Sequence, residues 1–290
     1  MESLKKYMPY LCILGAGTSW GFMGLFSKII LAGGYSSFTV VLIRNFGALL
    51  VLTLLFLIFD RSVFKIQLKH LPIFAFTGII SVYLFGICYF TGIKYHSAAV
   101  ASVLLYTAPG FVILGSRFVW KVPITKKRLL ALLMTVFGCI CISGALAGEF
   151  STTALGFALG IGSAVTYASY SVVSPFALKH YPSMTCTYYT FVFAGLASLF
   201  TLLDVEEMQG IISEPRMLFS GIAFVFLSTV IPYILYTRGL SKVDPGKASI
   251  MVSVEPVVAA IAGALFLAEP ITLMVALGIA FVLAAVVILK

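Results

Sequence analysis

The chain has 290 residues, 61% of them hydrophobic and only 10% charged, with a mean hydropathy of +1.11. That composition excludes a soluble globular domain, which needs far more polar surface to face water. The net charge of +9 does not mark a nucleic-acid binder, because the basic residues sit in short loops between apolar runs and form no stripe or cluster.

Apolar runs long enough to cross a bilayer as helices recur ten times. They cover roughly 8–31, 37–59, 71–93, 97–119, 127–147, 152–174, 184–204, 216–239, 246–268 and 270–289. The expected fold class is an all-α membrane protein of ten transmembrane helices. Lys5 and Lys6 precede the first run as in a signal peptide. The run continues to about Ala32 without a small-x-small cleavage site, so it reads as a retained helix. Connections at even crossings, with both termini, hold fourteen of the nineteen Lys and Arg, including Arg61, Lys121, Lys126, Lys127, Arg128, Lys179, Lys242 and Lys290. The other side holds Lys94 and Arg216 beside the acidic Glu149, Asp204, Glu206, Glu207, Glu214 and Glu269. The positive-inside rule then puts both termini in the cytoplasm of a multi-pass cell-membrane protein. Cys12, Cys88, Cys139, Cys141 and Cys186 all fall in apolar runs, which favours free buried thiols over a disulfide framework.

A shift of 147 residues superposes one half of the chain on the other. Tyr89 meets Tyr236, Gly92 meets Gly239, Ala101-Ser102 meets Ala248-Ser249, and Pro109 meets Pro256. Pro123-Ile124-Thr125 meets Pro270-Ile271-Thr272, and Trp20 meets Tyr167. Each half, 1–148 and 149–290, holds five spans. Five is odd, so the second half enters the membrane from the opposite side, and the halves form inverted-topology repeats. Prolines at matching positions of spans four and nine point to a binding site at the repeat interface, near the midplane.

Glu255 is the sole acidic residue deep inside an apolar run, and Pro256 follows it. A charge at the bilayer centre costs about 2.5–3.5 kcal/mol on insertion scales, so a functional role is the default reading. Proline lacks the backbone donor and displaces the carbonyl four residues back, that of Val252. Such a break is tolerated only against protein or a wet cavity. The sequence therefore predicts a polar cavity at mid-membrane with Glu255 and Pro256 in its wall. Glu255 has three readings: a partner for an amine or cationic group, a proton carrier, or a hydrogen-bonded structural group.

The two five-helix halves, the second-span stretch TVVLIRNFGALLVL, the span-nine stretch SVEPVVAAIAGALFLAEPIT and its counterpart TAPGFVILGSRFVWKVPIT resemble the drug/metabolite transporter superfamily, specifically its EamA-type ten-helix members. The resemblance spans essentially the whole chain. It implies a secondary-active exporter or exchanger of a small metabolite, working by alternating access with spans three, four, eight and nine around a central cavity. It also implies a fixed role for Arg44 on the second helix. One departure is Val122, where the family often ends span four with a glutamate; the second-half equivalent, Glu269, is kept. A non-transport membrane protein, such as a lipid scramblase or a receptor-like scaffold, is the competing class.

The candidate substrate-binding set is Glu255, Trp20, Arg44, Tyr83, Tyr89, Tyr106, Tyr170, Tyr233 and Tyr236, with Pro109, Pro256 and Pro232 as helix breaks or gates. The aromatics lie within spans rather than at rims, and a buried phenol needs a partner. Arg44 either snorkels outward or faces inward, pairing with Glu269, Glu149 or a substrate carboxylate. Candidate substrates are an amino acid, an amine or a nucleoside-like compound, with protons as a candidate companion. No enzyme, metal or cofactor is expected: His70, His96 and His180 fall in connecting segments on both sides of the membrane, and no phosphate-cradling glycine loop follows a strand. Monomer and homodimer both stay open.

Overall fold

The computed structural model describes residues 2–93, 95, 98–145, 152–267 and 270–289, and it is helical throughout, with no β-strand among the described residues. Among the described residues, eight spans are long and apolar enough to cross a membrane: Lys6–Ala32, Ser37–Phe59, Leu68–Gly92, Val100–Val119, Ala154–Leu178, Ser183–Leu202, Pro215–Leu240 and Pro245–Phe266. Two further helices, α8 (Lys126–Ser143) and α16 (Leu273–Ile288), supply the fifth and tenth spans. Helix α8 opens with three basic residues, Lys126, Lys127 and Arg128, and α16 is only 16 residues long. They pack along each other through Gly138 and Gly278, where a methyl on either would lie 2.7 or 2.5 Å from the other's carbonyl oxygen. Such small residues let backbones meet where lipid gives helices no apolar drive to associate.

Three spans are interrupted, each at a two-residue turn. Span one divides at Gly21-Phe22 into α1 (Glu2–Trp20) and α2 (Met23–Ala32). Span four divides at Tyr106-Thr107 into α6 (Ala98–Leu105) and α7 (Ala108–Val119). Span nine divides at Ser253-Val254 into α14 (Pro245–Val252) and α15 (Glu255–Leu267). Pro109 and Pro256 each occupy the second position of the restarted helix, where a missing N–H leaves no ladder bond unmade. The carbonyl of Val252, freed by Pro256, faces Gly17 of α1, so protein covers it as the depth demands.

Spans three and eight bend differently. A π-helical stretch covers Phe76–Leu84 in span three, and another covers Phe226–Val230 in span eight. Subtracting 147 from 226–230 gives 79–83, inside the first stretch, so the repeat symmetry reaches this detail. Pro232 follows the second stretch near the start of α13 (Ile231–Leu240) and leaves the helix unbroken. The expected break there is replaced by the wider turn, which absorbs the missing donor. Span six, α9 (Ala154–Leu178), and span seven, α10 (Ser183–Leu202), are continuous.

The acidic connection near 205–215 forms a short helix, α11 (Val205–Ser213), anchored by buried Ile211. Its Glu207 carboxylate holds the Ser36 cap of span two, α3 (Ser37–Phe59), accepting from Ser36 N (3.0 Å), Ser36 Oγ (2.9 Å) and the Thr39 hydroxyl, while Ser36 Oγ accepts from Thr39 N (3.1 Å). On the opposite face, Asp60 accepts from the amide and hydroxyl of Ser62, which hold its carboxyl below the usual range. Large apolar side chains such as Ile58, Phe59, Phe219 and Leu265 are exposed around the bundle, as a lipid-facing belt requires.

Candidate functional site

A cavity of about 280 Å³ starts beside Glu255 and Trp20 at mid-span. Its walls continue past Lys28 and Leu31 at the end of α2, Ile93 after span three, Ser143 at the end of α8, and Pro270-Ile271 before α16. These outer positions all precede or follow odd-numbered connections, so the cavity opens on one face only, opposite the face that bears the chain's ends. At the deep end stand Glu255, Pro256, Trp20, Tyr89, Ser102 and Tyr106. Glu255 heads α15, so its carboxyl lies at a helix N-terminus and faces its positive end. It is 7% exposed.

Glycines set how closely span one approaches. A methyl at Gly17 would meet the Val252 oxygen at 2.6 Å, and one at Gly21 would meet Val258 at 2.6 Å and the Glu255 oxygen at 3.0 Å. The break in span one is thus pressed against the break in span nine. The break in span four closes the arrangement from the other side. A void of about 10 Å³ between the two repeats is lined by Tyr106, Pro109, Tyr167, Ser249, Ser253 and Glu255. Pro109 lines this small void and Pro256 the larger cavity, and Glu255 and Tyr106 border both.

Behind the cavity lies a layer of rings and hydroxyls. Trp20 packs on Tyr167, Tyr233 and Tyr236 at centroid distances of 5.9, 5.2 and 5.3 Å. Tyr170 pairs with Thr237 (2.6 Å) and Tyr236 with Ser171 (2.7 Å), so neither phenol reaches the cavity. Arg44 does not snorkel. It is 1% exposed, donates through Nη2 to the Tyr233 hydroxyl (3.1 Å), and rests over the rings of Phe85 and Tyr233. Its Nε and Nη1 have no hydrogen-bond partner among the described residues. Glu149 and Glu269, considered as its partners, lie outside the described residues. Tyr83 lies away from the site, its phenol paired with Thr201 at 2.9 Å, and Pro232 is not in the cavity wall.

Tyr167, a mid-span aromatic in register with Trp20 that the substrate set leaves out, packs on Trp20 and Phe85, and its buried hydroxyl has no partner among the described residues. Sequence reasoning passed over a second feature. His70 and His180, placed in separate connections, stack at 4.6 Å, and Tyr181 lies 2.7 Å from His70 Nδ1. Folding brings span three's start onto the link between spans six and seven, which spacing alone does not reveal. His96 lies outside the described residues, and no cluster of three metal-ligating groups occurs among those described.

A lone carboxyl at the blind end of a one-sided cavity, between two bundle halves with matched helix breaks, is the layout of a membrane transporter. Comparison with known proteins agrees. The profile of the EamA-like transporter family matches residues 7–144 and again 154–290, and the chain belongs to that family. It is 24% identical over 260 residues to the uncharacterized transporter YyaM of Bacillus subtilis (strain 168), covering 88% of this chain and 85% of YyaM. It is 28% identical over 272 residues to an uncharacterized transporter of Archaeoglobus fulgidus, covering 92% and 91% of the two chains. A crystallised protein of 18% identity superposes with a TM-score of 0.79 over 97% of this chain and 95% of its own, a likeness of fold.

Proposed function

We propose that the protein is a secondary-active exporter or exchanger of a small metabolite, an amino acid, amine or nucleoside-like compound, carried by alternating access. The observation that carries this reading is the one-sided cavity ending on Glu255. Its volume suits a small solute, and its wall combines apolar and aromatic surface with few polar groups, as small-molecule sites do. Glu255 takes the cationic group of the substrate or exchanges a proton for it. Trp20, Tyr89 and Tyr106 supply the aromatic wall, and Arg44 with Tyr170, Tyr233 and Tyr236 forms the rigid backing. With both termini cytoplasmic, as the basic loops indicate, the cavity faces outward. The repeats 1–148 and 149–290 rock about Glu255, with the breaks at Pro109 and Pro256 as gates.

The test is counterflow and pH-jump uptake in proteoliposomes holding the parent chain or Glu255→Gln, across a panel of amino acids, amines and nucleosides. Uptake of the accepted solute is expected to fall at least tenfold, and its pH dependence to flatten. Unchanged uptake and unchanged pH dependence would remove Glu255 from the mechanism.

A further inference from the structure

Glu255 borders two spaces of very different size. The cavity of about 280 Å³ runs from it toward one face of the molecule, and the void of about 10 Å³ is shared by Glu255 and Tyr167. The walls of the void are Tyr106 and Pro109 at the break of span four, Tyr167 of span six, and Ser249, Ser253 and Glu255 at the break of span nine. A space of that volume admits a single water and excludes any metabolite. A buried water also needs two to four polar partners.

Tyr167 brings the first of them. Its hydroxyl is buried and has no hydrogen-bond partner among the described residues, a costly condition that calls for an explanation. Other buried groups share that condition, Thr135 and Ser228 among them, but of the described ones only Tyr167 borders either space. The ring is held against Trp20 at 5.9 Å and Phe85 at 5.5 Å, and a phenol oxygen lies on its ring axis, so these contacts fix the hydroxyl too. Ser249 Oγ donates to the Gly246 carbonyl (2.9 Å) and Ser253 Oγ to the Ser249 carbonyl (3.1 Å), which leaves both serine oxygens able to accept. The Glu255 carboxyl completes the set.

We infer that one water fills this void and joins the Tyr167 hydroxyl to the Glu255 carboxyl, which makes Tyr167 a positioning residue for Glu255. The phenol donates to the water, and the water donates to one carboxyl oxygen and to a serine oxygen of span nine. A bridging water of this kind is nearly as good as a direct hydrogen bond. One carboxyl oxygen is thereby held toward the void, and the other is left to the cavity. The positioning role rests on the reading of Glu255 as the carboxyl that meets the solute. It adds what fixes the direction of that carboxyl and assigns the task to a residue outside the cavity wall.

Tyr167→Phe keeps the ring against Trp20 and Phe85 and removes only the hydroxyl. Infrared spectra of the full chain in liposomes, taken without solute, locate the Glu255 carboxyl band by subtraction of Glu255→Gln in each background. That band is expected to move in Tyr167→Phe and to stay in Thr135→Val, which removes an unpartnered hydroxyl that borders neither space. In counterflow, the half-saturating concentration of the accepted solute should rise about tenfold in Tyr167→Phe with the maximal rate near the parent's, as for loss of one hydrogen bond to a charged group. A structure of the parent chain at a resolution that shows waters should hold one within hydrogen-bond distance of both Tyr167 Oη and the Glu255 carboxyl. An unmoved band or an unchanged half-saturation in Tyr167→Phe overturns the inference, and so does a dry void or a direct Tyr167–Glu255 bond. A displaced band in a protein that takes up no solute at all would instead count against the transport reading alone.

Discussion

Gly17→Ala isolates the contact that holds spans one and nine together. The new methyl would sit 2.6 Å from the Val252 oxygen, 2.6 Å from Val254 Cγ1 and 3.2 Å from the Val252 carbonyl carbon. Two of these atoms are backbone at the break of span nine, so relief requires moving that turn and, three residues on, Glu255. Overpacking of this kind costs about 1–3 kcal/mol, and alanine recovers about 1 kcal/mol over glycine inside a helix. Because the clash is with backbone, the net loss falls at about 1–2 kcal/mol. At about 2–4 °C per kcal/mol, the apparent melting temperature drops by roughly 2–8 °C. The assay is thermal unfolding of the detergent-solubilised protein followed by size-exclusion fluorescence. Gly24→Ala is the control, since a methyl there has nothing within 4 Å. A Gly17→Ala melting point at or above that of Gly24→Ala would refute the argument that backbone proximity at the break is tight.

Two further outcomes follow from the hydrogen bonds. Tyr233→Phe removes the acceptor of a buried guanidinium and should cost about 1.5–3 kcal/mol, against about 0.5–1.5 for Tyr236→Phe, whose lost partner is the neutral Ser171. Parallel melts that rank the two in the opposite order would contradict the Arg44 geometry. Glu207→Ala removes the shared acceptor of the Ser36 amide and the Ser36 and Thr39 hydroxyls, leaves the Ser36 cap on span two in place, and should lower stability by about 1–2 kcal/mol, with proteolysis of the 203–214 segment accelerating as α11 comes loose. An unchanged digestion rate would show that α11 is held by Ile211 alone.

The sequence by itself determined the number and place of the spans, because twenty apolar residues have nowhere to go but lipid, and the observed helix ends fall close to those expected. It also determined the pairing of the repeats. Proline and glycine keep their register through divergence of the rest, and so Pro109 and Pro256 could be predicted to sit at matching breaks. Glu255 stood out for the same reason: its solvation cost is legible wherever it lies within an apolar run. The tertiary structure alone decided which aromatics surround it. Tyr83 and Tyr89 are equally plausible on one helix by spacing, yet Tyr83 lies inside the π-helical stretch and Tyr89 in the α-helical turns after it, and one meets Thr201 while the other lines the cavity. Side-chain direction along a bent helix depends on the local winding, which apolar composition does not encode. Likewise, the break in span one has no proline to announce it, and arises where Gly17 and Gly21 let α1 close on span nine. Which half of the molecule stands open is a property of packing between repeats, and two nearly equivalent halves carry no sign of it in their order of residues.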